Sequence, residues 1–422
     1  MIGPFPGDEG GKLSMELVAR IPERPFVTLA MGVQPVTMGA TGSQLKRTQE
    51  ALLMARQVLE ERGGHLLVFG DLGPKIVFRL AGSGAIDAEG TTFFSGGDYL
   101  TLPASLPAPA MALLDASILA SAVTNSSLVQ DKLREALVDV IKQVEGAAAF
   151  PELSAVEQAM NQVAIANCQM LLFNDKDARH WLDSAAALYD QAMAKAPKSS
   201  DPEAYGAIQM HRATVFAIRG SDKTQFEALL DAAQACREAL TVLNKSDDPN
   251  DFASVHARLG GILLRYASRE GQRQHFEEAM ASYREALTVF TRGRAPARWA
   301  EITENMARGL QIWGEHAGAL PLVEQAVVLF KGVAEIRSRD LAPLAWATTQ
   351  NNLGAALFSV GKAGNKPEML EQAIAAFEGA SAVFRHLRLT DRARLTDRNV
   401  SRVRRMLDTG SAPAGGEDEK PG

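Results

Sequence analysis

The stretch Trp346-Ala-Thr-Thr-Gln-Asn-Asn-Leu-Gly354-Ala-Ala-Leu357, followed by Ala373-Ile-Ala-Ala-Phe377-Glu-Gly-Ala380, decides the fold. Ala373, Phe377 and Ala380 stand four and three residues apart, which sets them on one face of a helix. Stepping back by 47 residues finds the pattern again, with no insertion or deletion. The alanine recurs at Ala185, Ala232, Ala279 and Ala326. The ring after it recurs as Tyr189, Tyr283 and Phe330, with Cys236 in its place in one copy. The following small residue recurs as Ala192, Ala239, Ala286 and Val333. In the preceding helix a proline (Pro202, Pro249, Pro296, Pro343) is followed by a ring (Tyr205, Phe252, Trp299, Trp346). A small residue comes next, at Ala213, Gly260, Ala307 and Gly354, with Ala166 one period earlier. A fixed period of this size marks stacked units, each too small to bury its own apolar face.

The expected fold class is mainly α. It is a right-handed α-solenoid of helix-turn-helix repeats, with a small N-terminal α/β domain ahead of it. Alanines on the second helix let neighbours approach closely, and the ring fills the space between them. Each proline opens a first helix, where the missing amide costs least. Gly220, Gly314 and Gly361 are expected in the turn between the two helices of a unit. All these positions are packing rather than chemistry.

Working outward, residues 1–24 are rich in Gly, Pro and charge and are expected as a flexible lead-in. Residues 25–102 are expected as the α/β domain, in β-α-β-β order. A strand is read over Phe26–Val33 and a helix over Gln44–Arg62, with Leu45, Leu52, Leu53, Ala55, Val58 and Leu59 near one face. Short strands are read at His65–Phe69 and Lys75–Leu80, split by Gly70-Asp-Leu-Gly-Pro74, and a further pair at Thr91–Phe94 and Tyr99–Leu102. A linker is expected over 103–110 and a helical pair over 111–150. Five repeats follow over 151–389, then a capping helix over 390–408 and a disordered acidic tail over 409–422. The Arg385–Arg405 stretch holds eight arginines against two aspartates, read as the polar face of a cap, the alternative being an added role in binding an acidic partner or phosphates.

Composition narrows the function. Charged residues make up 22% of the chain and hydrophobic ones 46%, ordinary values for a globular protein. A net charge of −6 gives no whole-chain reason to expect nucleic acid or an anionic membrane. No run of about 18 apolar residues indicates a membrane span, and the opening residues lack a secretory pattern, so a cytoplasmic setting is expected. Cys168 and Cys236 fall inside the repeats and read as buried core. No HxxxH, HExxH, CxxC, Walker or GxSxG spacing occurs, so no metal and no cofactor is expected.

The Asn-Leu-Gly-x-x-Leu core of Asn352–Leu357 and the Ala/aromatic/Ala second helix resemble the tetratricopeptide repeat, in a long-period variant similar to bacterial ones. The resemblance implies a non-enzymatic scaffold or adaptor whose first helices line a concave groove for a partner peptide or helix, with self-association possible. Placed residue by residue, the family's groove positions are Asn167, His211, Arg258, Arg265, Glu301, Glu304, Arg308, Gln311, Asn351, Asn352 and Phe358. Arg258, Arg308 and Asn351 are the foremost contacts expected, since Arg and Asn give directional hydrogen bonds. Asn352 has an equal claim to a structural role.

A second resemblance lies in Leu59-Glu-Glu-Arg-Gly-Gly-His-Leu-Leu-Val-Phe-Gly-Asp71, which is similar to the helix-to-hairpin passage of class III nucleotide cyclases. It implies Asp71 as one metal-binding aspartate. The family's other aspartate belongs on the first strand, where Ala30-Met-Gly-Val33 stands. The alternative function implied is a repeat-regulated nucleotide-binding enzyme or pseudo-enzyme with a degenerate cyclase-like domain.

Overall fold

The computed structural model describes residues 1–32, 35–39, 44–82, 99–122, 126–144, 149–173 and 179–409. It divides into two compact units, Met1–Val255 and His256–Gly422.

In the first unit, short alternating runs form an antiparallel sheet in the order β1 (Leu66–Leu72), β2 (Lys75–Gly82), β3 (Tyr99–Pro103). Alternation sends Leu67, Phe69 and Ala81 to one face, against Ala51, Leu52, Ala55 and Leu59 of α2 (Gln44–Arg62). Leu66, Val68, Ile76, Phe78, Leu100 and Leu102 face the other way, into a core shared with α1 (Lys12–Arg20), α3 (Ala108–Ser121) and α4 (Ser127–Ile141). Both faces of the sheet are therefore covered. At Gly70 no side chain fits, because a Cβ there would lie 1.7 Å from the carbonyl oxygen of Val77. Leu53, expected on the buried face of α2, is 49% exposed beside Met54.

Residues 1–24 are not a loose lead-in. Ile2, Phe5, Leu13, Leu17 and Ile21 are buried. Asp8 caps α1 by accepting from the amides of Leu13 (2.9 Å) and Ser14 (3.1 Å). The first residues run beside β1, with Gly3 donating to the Val68 carbonyl and Val68 to that of Met1. This explains why the strand expected over Phe26–Val33 is reduced to isolated bridges at Arg24–Val27 and Ile2–Met31. The edge it would have joined is already occupied. Thr91–Phe94, Val33 and residues 410–422 lie outside the described residues.

The expected linker is a buried turn. Leu106, 1% exposed and at φ +44°, accepts from Arg20 at 2.5 Å, and α3 begins two residues later. The outer edge of β3 is closed by a side chain from α5 (Ala155–Leu172). Asn161, fully buried, accepts from the Thr101 amide (3.1 Å) and donates to the Thr101 carbonyl (2.8 Å). One amide thus takes the place of a strand and ties the sheet to the first repeat helix.

The remaining helices of this unit are α6 (Arg179–Lys195), α7 (Pro202–Arg219) and α8 (Ala228–Leu240). The helix α9 (Pro249–Glu270) opens here and has its larger part in the second unit. That unit continues with α10 (Arg273–Leu287), α11 (Pro296–Ala317), α12 (Leu320–Ile336), α13 (Pro343–Gly364), α14 (Pro367–His386) and α15 (Thr390–Thr409).

The repeated residues occupy repeated environments. All four prolines stand at the first position of a first helix. A Cβ on Gly260 would meet the Tyr283 ring at 2.9 Å, and one on Gly354 the Phe377 ring at 2.9 Å. These are the sites of closest approach within a helix pair. Gly314 and Gly361, expected in turns, lie inside α11 and α13, where a Cβ would strike Val323 (2.7 Å) or Leu370 (2.6 Å) of the partner helix. The turns instead use Gly271 (φ +68°), Gly318 (φ +62°) and Asn365 (φ +48°), again one period apart. Much of the period's length lies in the first helices: α9, α11 and α13 each run 22 residues.

A second ladder follows the same register. Lys245 lies over Phe252 (5.5 Å), Arg292 over Trp299 (5.7 Å) and Arg339 over Trp346 (5.4 Å). The far edges of Trp299 and Trp346 approach Gly332 and Gly379 of the second helix. Each ring is thereby held between a cation and a bare stretch of backbone. Cys168 and Cys236 are buried and form no disulfide, and burial pushes the Cys168 thiol up to about 12, which keeps it protonated.

Candidate functional site

The first helices of the second unit bring several of the expected groove residues onto neighbouring elements: Arg258 and Arg265 on α9, Glu301, Glu304, Arg308 and Gln311 on α11, Asn351, Asn352 and Phe358 on α13. The structure divides them into two groups. Arg265, Glu301 and Arg308 are exposed, and Gln311 is half-buried. Arg308 donates to Asn305 at a long 3.3 Å, and Glu301 accepts from Arg298 at 2.9 Å. These groups remain reachable from solvent.

Glu304 belongs to the second group. It is 13% exposed and accepts from Arg337 (2.5 Å), Thr349 (3.0 Å) and Asn352 (3.2 Å). Arg337 also reaches Thr349 (2.7 Å) and the Ala345 carbonyl (3.2 Å). A carboxylate so saturated holds α11, α12 and α13 together. Asn352 takes its structural role in this network. Asn351 accepts from Thr396 of α15 at 3.2 Å, and Arg402 of α15 lies 5.2 Å over the ring of Phe358.

In the first unit, Asn167 accepts from the Tyr189 hydroxyl at 2.6 Å. The imidazole of His211 stacks on the Tyr189 ring at 5.3 Å and 7°. The sequence carries no signal for these uses, because the partners come from a neighbouring helix rather than from the same one.

The register also runs further than the five copies show. Thr390, where α15 begins, stands one period after Pro343. Thr349 on α13 bonds Glu304 on α11, and Thr396 on α15 bonds Asn351 on α13, each pair 45 residues apart. Thr349, Leu353 and Ala356 are buried, and so are Thr396, Val400 and Val403 one period on. So α15 takes the place of a sixth first helix. Ala393 and Ser401 stand where a ring and its small partner would be, which is why the sequence pattern hides it. Carrying the groove positions forward one step adds Leu395, Arg398, Asn399, Arg402 and Arg405. Asp397, on the same helix, is held below the usual carboxylate range by a hydrogen bond from Ser381. Partial burial opposes that shift, and Arg385 reinforces it.

Asp71 is placed on β1, and Arg79 of β2 donates to it at 2.9 Å. The charged group bonded to it among the described residues is thus a cation rather than a second carboxylate. Among the described residues no group of three His, Cys, Asp or Glu side chains converges. A cavity of about 520 Å³ lies between the end of α4 and helices α5 and α6, lined by Ile141, Val144, Ile165 and Leu188 with Gln162 and Gln169. It holds no acid–base pair. No described helix is long and apolar enough to cross a membrane.

No protein-family model matches the chain, and no curated protein matches it. Among solved structures it is similar to a signal-transduction ATPase with numerous domains from Pyrococcus horikoshii, which carries a tetratricopeptide repeat sensor. The identity is 15% and the TM-score 0.41, over 71% of this chain and 43% of that one. It is also similar to a nuclear import adaptor of S. pombe, at 11% identity and TM-score 0.35, over 65% of this chain and 94% of that one. The chain therefore spans less than half the length of the archaeal protein it matches.

Proposed function

We propose that the protein is a non-enzymatic scaffold of the tetratricopeptide type. In this reading it holds a peptide or helix of a protein partner along the first helices of its second unit. The observation that carries this is the division of labour within α11. Its register-bound residues, Ala307 and Leu310, are buried, while Glu301 and Arg308 on the same helix stand exposed. Directional groups displayed at helical spacing on a rigid frame suit recognition of an extended or helical ligand. Glu304, Asn351 and Asn352 act in this reading as the frame, and Arg258, Arg265, Arg308 and Gln311 as the contacts.

The test is capture by the full chain and by its R258E/R308E variant, read by mass spectrometry and by thermal melting. A partner retained by the first and lost by the second, with a melting shift of only a few degrees, supports the surface. Equal retention would remove Arg258 and Arg308 from it.

A further inference from the structure

Among the described helices α15 is the last of the series of first helices, and its exposed side differs in charge from the others. We propose that the exposed face of α15 is the terminal wall of the recognition surface and takes an acidic segment of a protein partner, one that carries an apolar residue among its carboxylates. This rests on the scaffold reading above and names its partner's chemistry at one end.

Four observations converge on it. The register places Leu395, Arg398, Arg402 and Arg405 where α11 carries Glu301, Glu304, Arg308 and Gln311. The recurring threonine bond, Thr349 to Glu304 and Thr396 to Asn351, shows that α15 packs on α13 as α13 packs on α11. The two aspartates of this stretch are already engaged, Asp391 by Arg394 (2.7 Å) and Asp397 by Arg385 (2.6 Å) and Ser381 (2.6 Å). By contrast, the exposed side chains of Arg388, Arg392 and Arg398 have no ion pair or hydrogen bond among the described residues. Arg388 moreover sits at φ +58°, just past the end of α14, a left-handed position that favours glycine or asparagine. Retaining an arginine with no internal partner at a strained position points to a use outside the chain.

Chemistry selects among anions. Arg398 and Arg405 are seven residues apart, about 10 Å along a helix, which matches acidic side chains two turns apart on a facing helix. Leu395, 60% exposed, stands within this arginine face. A phosphate backbone offers nothing to an isolated leucine, whereas an acidic segment with one apolar residue satisfies both. Arginine's planar fork adds bidentate geometry toward carboxylates.

The experiment uses the full chain and fluorescence anisotropy. The probe is a short fluorescein-labelled glutamate-rich peptide with one central leucine. Its glutamine counterpart and labelled oligothymidylate serve as comparisons. The acidic peptide is expected to bind, to weaken steeply with salt, and to exceed the glutamine peptide by about ten-fold or more. R398E, which removes no internal contact, should weaken binding by about ten-fold, and R398E/R402E should abolish it, with helical content by circular dichroism unchanged for R398E. R388G should raise the melting midpoint and lower affinity modestly. Absence of peptide binding, binding that survives R398E/R402E, or oligothymidylate binding tighter than the peptide would each overturn the proposal. If peptide binding fails while partner capture still depends on Arg258 and Arg308, this inference falls and the scaffold reading stands. If capture is indifferent to those two arginines while peptide binding still requires Arg398, the acidic-segment site stands and Arg258 and Arg308 drop out of the recognition surface.

Discussion

The sheet-bearing layer of the first unit and the helix pairs of the second are held by contacts of different reach. In the sheet layer the side-chain links join residues far apart in sequence: Arg24 with Asp115, Lys75 with Glu157, Asn161 with Thr101. In the second unit they join residues within about one period: Arg337 with Glu304, Thr349 with Glu304, Lys366 with Glu324. A contact that recurs at a fixed step leaves a periodic trace in the sequence. One made once, across a long separation, leaves none. The same difference predicts that the sheet layer depends on single linchpins, whereas in the second unit packing contacts such as Gly260 on Tyr283 and Gly354 on Phe377 have counterparts.

The largest effect should therefore come from the sheet layer. Asp115 and Arg24 form a two-bonded pair (2.9 and 2.6 Å) with side chains 5% and 12% exposed. Removing one partner strands the other charge, so Asp115→Ala should cost about 3–5 kcal/mol in urea unfolding. Arg24→Met with Asp115→Leu should recover most of that loss. If the single and double variants melt alike, the pair is not the linchpin the comparison requires.

Next comes the repeat packing. Gly354→Ala puts a methyl 2.9 Å from the Phe377 ring, closer than the ring can accept without moving, and should cost about 1–3 kcal/mol. The equivalent Ala307→Gly should be milder, since it opens space rather than closing it. Equal costs would mean that the copies do not share one environment.

A smaller effect, opposite in sign, is expected at Tyr283. Its hydroxyl is buried with no hydrogen-bond partner among the described residues, and burial pushes its pKa upward. In the first unit the equivalent Tyr189 hydroxyl is accepted by Asn167, but at that register the second unit has Gly261. Tyr283→Phe should therefore stabilise by about 1 kcal/mol, while Tyr189→Phe should destabilise by a similar amount. Paired thermal melts read both. The smallest effect is expected at the cation ladder, where Arg339→Ala should cost only about 0.5–1 kcal/mol because the guanidinium over Trp346 is exposed.

The helix pairs were legible because the packing constraint repeats. Ala373, Phe377 and Ala380 had to share a face, and the second-helix residues that obey the register are buried. Gly314 and Gly361, expected in turns, lie inside helices, since glycine serves close helix approach and left-handed turns alike and the sequence does not say which. The expected groove residues stand on first helices, but the sequence does not show which of their side chains neighbouring helices engage. Glu304 looks no different from Glu301 until Arg337 and Thr349 are seen around it.

By itself, then, the sequence determined the period, the helix pairing, and the rings and small residues that pack them. Each of those follows from local spacing repeated many times. Only the tertiary structure decided that residues 1–24 belong to the core, that Asn161 closes the edge of β3, and that α15 stands as a sixth first helix with its arginines outward. Those outcomes depend on which distant groups meet, and that meeting is fixed by burial and hydrogen bonding in three dimensions, not by any spacing along the chain.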